Sequence, residues 1–226
     1  MALPFLPTDF RMKIFKTRTR LEDFTDYEVR KHCAMPLLNV RELFEEFEPR
    51  LQPMTRRSQA ILPETRLLIA LSFFRSGSFQ YVQGTVGGMS QASISLSLER
   101  VSKLIVEDFA TRSIVFPTTV SELNRTKEKL YEISQFPNIG GVIDGTHVGI
   151  KPPHHDEHMF VNRKTYHSIN AQLVCDGNNI FTDAVVKWPG STHDSYIWNN
   201  SGLKQRFLDG DFGETWLIGK SIYLNK

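Results

Sequence analysis

Residues 139–151 read IGGVIDGTHVGIK, and the rest of the chain takes its place around them. An apolar run carries Asp144 outward to a Gly-Thr-His segment that reads as a turn, so one carboxylate stands where a buried strand surfaces. Open α/β sheets hold their ligands beyond the carboxyl ends of strands, which makes this acid a site candidate. Asp followed by Gly is equally a common turn pair, and a plain turn cap stays open beside that reading.

Downstream, Ile169, Ala171, Leu173 and Cys175 alternate with Asn170, Gln172 and Val174, the period of a strand. Asp176-Gly177-Asn178-Asn179 is a turn cluster, and Ile180 to Trp188 is a second run, so the two form a β-hairpin that Pro189-Gly190 ends. Ser191 or Thr192 is placed to cap a helix carrying His193, Asp194, Tyr196, Ile197 and Trp198, and Trp216 to Ile218 reads as a further strand. If the hairpin lies beside the Asp144 strand, that helix returns over the sheet and Asp194 faces Asp144. Carboxylates gathered this way suit hard divalent cations, although an acid in a first helical turn is also explained by the helix dipole. His147 and His193 each neighbour a candidate acid and suit either orienting it or a structural hydrogen bond. His154, His155 and His158 lie in a loop after two prolines without the HExxH order, which argues against zinc. Arg163, Lys164 and His167 make a basic patch fit to meet a phosphate backbone.

Upstream the pattern is helical. Leu43, Phe44, Phe47 and Leu51 share one face of a helix ending near Pro53. Pro63 and Glu64 open another, with Leu67, Leu68, Leu71 and Phe74 as its stripe and Ser76-Gly77 as its end. Ser78 then caps a short helix, Phe79 to Val86. Gly87-Gly88 turns the chain, Ser90 is a good N-cap, and Ile94, Leu98, Val101 and Ile105 give a second face. This is a helix-turn-helix arrangement, whose second helix would present Gln91, Ser93 and Ser95 to a major groove, with Arg100 one or two turns on. Helical hairpins without DNA contact share the pattern. From Phe109 to Phe136 runs a connector broken by Pro117, with a basic helical second half carrying Arg125, Lys127 and Lys129.

With 226 residues, the chain is long enough for one large or two small domains. Lys plus Arg number 27 against 25 Asp plus Glu, so overall charge does not announce a nucleic-acid binder, although Arg11 to Arg20 form an acid-free basic arm. Cys33 and Cys175 show no metal or disulfide spacing and read as core residues of a protein in a reducing compartment. MALPFLPTDF lacks the charge and apolar length of a signal peptide, and no stretch approaches a membrane span, so no membrane association is expected.

The runs GVIDGTHVGIKPP, FVNRKTYHSINAQLVCD, WPGSTHDSYIW and WLIG together resemble the PIF/Harbinger transposase-derived nucleases, and SGSFQYVQGTVGGMSQASISLSLERV resembles the segment preceding that family's catalytic domain. The resemblance, which runs from about Phe73 to Gly219, implies an RNase H-like DDE nuclease domain, so the expected α/β chain has a helical N-terminal region over 1–60, a helix-turn-helix region over 61–136 and that domain over 137–226. It implies Asp144 and Asp194 as catalytic ligands of Mg²⁺ or Mn²⁺, while the DNA contacts expected at Gln91, Ser93, Arg163 and Lys164 rest on the helix-turn-helix arrangement and the basic patch. It further implies a Myb-like DNA-binding partner and a place in the nucleus and cytoplasm. The family's next acid is replaced by Lys220 in WLIGKSIY, and its final Glu is not reached. The expectation is therefore a DNA phosphodiesterase scaffold with little or no cleavage, or alternatively a DNA- or protein-binding module without catalysis.

Overall fold

A computed structural model describes residues 20–53, 60–77 and 89–219. The chain divides into two compact units, Met1–Phe109 and Ala110–Lys226. The basic arm up to Thr19, the expected helix Phe79 to Val86, the Gly87-Gly88 turn and Lys220 lie outside the described residues.

The first unit is helical. Helix α1 (Asp26–Cys33) starts in a capping box in which Thr25 and Glu28 satisfy each other's backbone N–H groups, and it ends on Ala34 in the left-handed region. Helix α2 (Leu37–Leu51) buries Val40, Phe47 and Leu51, the face the periodicity indicates. Helix α3 (Pro63–Ser76) has Pro63 at its first position and Gly77 as a left-handed cap with φ 60°. Ser90 accepts from the Ser93 N–H and opens helix α4 (Gln91–Leu104), whose Ile94, Leu98, Val101 and Leu104 are buried. These faces join Val29, Leu67, Ala70 and Leu71 in one core. Beyond α4 a π-helical stretch, Ile105–Ala110, precedes a single helical turn, Thr111–Ser113.

The second unit opens with α5 (Val120–Ser134), capped by the Thr119–Glu122 pair and packed on the first strand. A four-stranded sheet follows, made of β1 (Ile139–Gly149), β2 (Ser168–Cys175), β3 (Phe181–Pro189) and β4 (Trp216–Gly219), in the order β3-β2-β1-β4. The hairpin expected after Cys175 is the antiparallel β2–β3 pair, while β1 and β4 run parallel. One-turn helix α6 (Glu157–Phe160) lies in the β1–β2 connection, and α7 (Asp194–Asn199) and α8 (Gly202–Leu208) lie between β3 and β4. Phe116, Leu123, Ile143, Val174, Leu203 and Phe212 form the core, with the Phe116 and Phe212 rings 4.8 Å apart. Among the described residues no helix is long and apolar enough to cross a membrane.

Two local expectations change. The GTH segment is not a turn: β1 pairs with β2 without interruption from Val142↔Cys175 to Gly149↔Ser168, and Asp144 stands mid-strand opposite Leu173. A full antiparallel partner satisfies the backbone there, so the Asp-Gly pair has no turn to make. Neither Ser191 nor Thr192 caps α7. The Thr192 N–H is spent on Pro189 O in a tight turn, which moves the cap position to His193 and makes Asp194 the first helical residue.

Candidate active site

Strand alternation decides the geometry around Asp144. Successive side chains leave a strand on opposite faces, so Ile143, Gly145 and His147 share the face that carries the core, and Asp144 belongs to the other. Asp144 is exposed, and its Oδ1 accepts the Gly145 N–H at 2.9 Å.

Asp194 approaches from the core-bearing face. A Cβ added to Gly145 would lie 2.6 Å from Asp194 Oδ1 and 2.8 Å from its Cγ, so the carboxylate rests against the bare Cα of Gly145. Asn170, opposite His147 on β2, donates to Asp194 Oδ1 at 2.8 Å and to Thr192 O at 2.9 Å, and Gln172 Nε2 donates to Asp194 O at 3.3 Å. Ile197 is fully buried and pins α7 to the sheet, a burial worth about 1.5–3 kcal/mol. The Trp188 and Tyr196 rings meet edge-on at 5.1 Å. The polar residues of β2 therefore face inward. Asn170 and Gln172 are buried with hydrogen bonds to Thr192 and Asp194, and Ser168 with bonds to His147 and Asn162, and a buried polar group so paired avoids the cost of desolvation.

A cavity of about 70 Å³ opens beside Asp194, lined by His147, Arg163, Asn170, Thr192, His193 and the Gly190-Ser191 backbone region. His147 is held from behind. Its Nδ1 lies 3.1 Å from Ser168 Oγ, which also accepts from Asn162 Nδ2 at 2.8 Å. Asn162 in turn receives the Lys164 N–H on its Oδ1. No spacing rule reads this relay, because its members come from β1, β2 and the connection between them.

The sequence candidates separate accordingly. Asp194 and Arg163 share the cavity, whereas Asp144 lies outside its lining. Lys164 is exposed next to Arg163, and His167 Nε2 lies 2.9 Å from Glu157 Oε1. Gln91 is exposed at the start of α4 in the other unit, where the Ser93 hydroxyl is engaged with Ser90 at 3.0 Å. The described residues contain no group of three or more His, Cys, Asp or Glu able to hold a metal ion. Two acids reaching one strand from opposite faces do not supply the convergent oxygens that Mg²⁺ requires, so these residues by themselves do not fit the ion.

Residues 143–223 match the family model described as DDE superfamily endonuclease. The chain is 34% identical to "Putative nuclease HARBI1" of Bos taurus over 229 residues, covering 99% of this chain and 65% of that relative. Identity and coverage are the same for the Homo sapiens protein of that name. "Protein ALP1-like" of Arabidopsis thaliana is 31% identical over 140 residues, covering 61% of this chain and 34% of that relative. The chain thus spans just under two-thirds of the length of the HARBI1 relatives. No solved structure matches. With the DGTH strand, the hairpin and the PGSTHD helix all arranged about one sheet, the chain belongs to the Harbinger transposase-derived nucleases of the DDE endonuclease superfamily.

Proposed function

We propose that this chain is a transposase-derived scaffold for DNA phosphodiester hydrolysis that itself cleaves little or not at all. The family reading places hydrolysis at an RNase H-like centre using Mg²⁺ or Mn²⁺ with Asp144 and Asp194 as ligands, a set that the two acids of this chain, placed on opposite faces of β1, do not complete. The strand order β3-β2-β1-β4, with β4 parallel to β1, supports the RNase H-like assignment. The observation that carries the low activity is the placement of the two acids: Asp194 is bound by Asn170 on one face of β1, and Asp144 belongs to the other. In the sequence Lys220 stands where the family resemblance calls for an acid, so that acid is missing from the set. An ammonium does not lower the pKa of a bound water as a metal ion does.

Calorimetry with Mn²⁺ tests this. The expected result is no micromolar binding to the full chain and no change on Asp144→Ala. Micromolar binding abolished by Asp144→Ala or Asp194→Ala would show that the acids converge on an ion and would overturn the reading.

The same placement favours a second reading, a DNA- or protein-binding module. Helix-turn-helix contact through Gln91 and Ser93, and backbone contact through Arg163 and Lys164, belong to it, as do a Myb-like partner and a nuclear and cytoplasmic distribution. A DNA-binding module that neutralises several phosphates loses affinity steeply with salt. Absence of DNA binding at low salt would leave protein interaction as the function.

A further inference from the structure

The hydrogen-bond relay behind His147 determines what the cavity offers a ligand. Asn162 Oδ1 accepts the Lys164 N–H at 2.9 Å, so the other end of that amide, Nδ2, is the donor to Ser168 Oγ. Ser168 is fully buried, and its hydroxyl hydrogen has one acceptor within reach among the described residues, His147 Nδ1. An imidazole that accepts at Nδ1 carries its hydrogen on Nε2. That N–H has no partner among the described residues and is not sealed from solvent. His147 is therefore a fixed donor, and Arg163 lines the same cavity as a second, charged one.

An acceptor stands beside these donors. Asn170 Nδ2 holds Asp194 Oδ1 at 2.8 Å, which fixes the carboxylate, while Oδ2 has no partner among the described residues and stays open to solvent. A carboxylate oxygen accepts about two hydrogen bonds, so Oδ1 keeps one site as well. This mixture of charges narrows the ligand. A phosphate brings only acceptors and negative charge, which Asp194 opposes, and Arg163 opposes a cation. What fits is a neutral group with donor and acceptor side by side, the pattern along the edge of a nucleobase. Guanine alone among the DNA bases sets N–H donors on two neighbouring nitrogens, N1 and N2, next to an acceptor, O6. Adenine and cytosine offer one amino group there, and thymine flanks its single N–H with oxygens that the carboxylate would repel. At about 70 Å³ the cavity is far smaller than a pocket enclosing a whole ligand, roughly 300–1,000 Å³, so it admits the edge of a base and leaves the rest of the ring outside. His193, exposed and in the same lining, offers that ring an aromatic face.

We propose that the cavity between β1, β2 and the start of α7 reads the base-pairing edge of an unpaired guanine in a DNA strand, with Asp194 on N1–H and N2–H and with His147 Nε2–H, supported by Arg163, on O6. The inference rests on the DNA-binding reading above and adds base recognition to contact with the backbone. In a duplex that edge is engaged, so the strand recognised is single or splayed open.

Fluorescence anisotropy of the full chain with short oligothymidine strands tests it, the central base being thymine, guanine, hypoxanthine or absent. One charge-assisted hydrogen bond corresponds to about tenfold in affinity, so the guanine strand should bind about tenfold or more tighter than the thymine and abasic strands. Hypoxanthine, which lacks the N2 amino group, should fall between. Asp194→Asn and His147→Ala should each erase the guanine preference while affinity for the thymine strand stays, which also shows that the variants fold. A preference that survives both substitutions overturns the assignment. Equal affinity for guanine, thymine and abasic strands refutes base recognition and leaves DNA binding in place. If no strand binds at low salt, the DNA reading itself fails, and the site is judged on free guanosine. The proposal then stands only if the His147 Nε2 resonance in ¹⁵N spectra moves with guanosine and not with thymidine.

Discussion

Gly145→Ala is the sharpest probe of the site, because its effect is expected to come through a single neighbour. The added methyl would lie 2.6 Å from Asp194 Oδ1, 2.8 Å from Cγ and 3.0 Å from Oδ2, so the carboxylate must leave its seat. The Asn170–Asp194 bond of 2.8 Å then breaks. A hydrogen bond to a charged group contributes about 1.5–3 kcal/mol, toward the lower end here because Asp194 is half-buried. Replacing glycine within a strand returns about 0.5–1 kcal/mol of chain entropy. The net expectation is a loss of about 1 kcal/mol, a fall of about 5 °C in the melting point of a domain of this size. Thermal and urea melts followed by circular dichroism measure it, alone and in an Asp194→Ala background. With the carboxylate gone the methyl has room, and Gly145→Ala should become neutral or stabilising. If the two substitutions instead add to within about 0.5 kcal/mol, Gly145 is not there to admit Asp194 and the reasoning is wrong.

Two pH-dependent outcomes follow from other carboxylates. Burial pushes the Asp183 carboxyl up from its ordinary value of 3.8, with nearby Arg206 opposing in part. The folded state therefore holds the proton more tightly, and the penalty of the charged form is present above the folded pKa; Asp183→Asn should raise the urea midpoint at pH 7 and lose that advantage in acid below 3.8. Hydrogen bonds from the Thr119 N–H, the Thr119 hydroxyl and the Thr118 N–H hold Glu122 below its ordinary 4.5. Its contribution is present above 4.5 and is lost as pH falls through the lowered folded value, so Glu122→Gln should flatten the acid limb of the stability curve; an unchanged limb would exclude the capping box as a source of acid sensitivity.

Much of the fold is legible along the chain because local chemistry and tertiary packing agree there. Pro63 and Gly77 bracket α3, Ser90 caps α4, and the Asp176 to Asn179 cluster joins two alternating runs into the β2–β3 hairpin. These signals act over a few residues and need no distant partner. The order of strand, hairpin, helix and strand around Asp144 and Asp194 comes from the same reading.

What the sequence by itself determined was thus the elements, their order and the two acids worth watching. The tertiary structure alone decided how those acids meet. An Asp-Gly pair reads as a turn until β2 pairs through it, and that pairing sends Asp144 to the face opposite Gly145. Asn170 and Gln172 look like the solvent side of an amphipathic strand, yet they are buried because α7 brings Asp194 to them. The tautomer of His147 depends on Ser168 and Asn162, 21 and 15 positions away in the chain. Side-chain direction, burial and proton position are set by partners distant in sequence, and only the folded arrangement brings those partners within hydrogen-bonding distance.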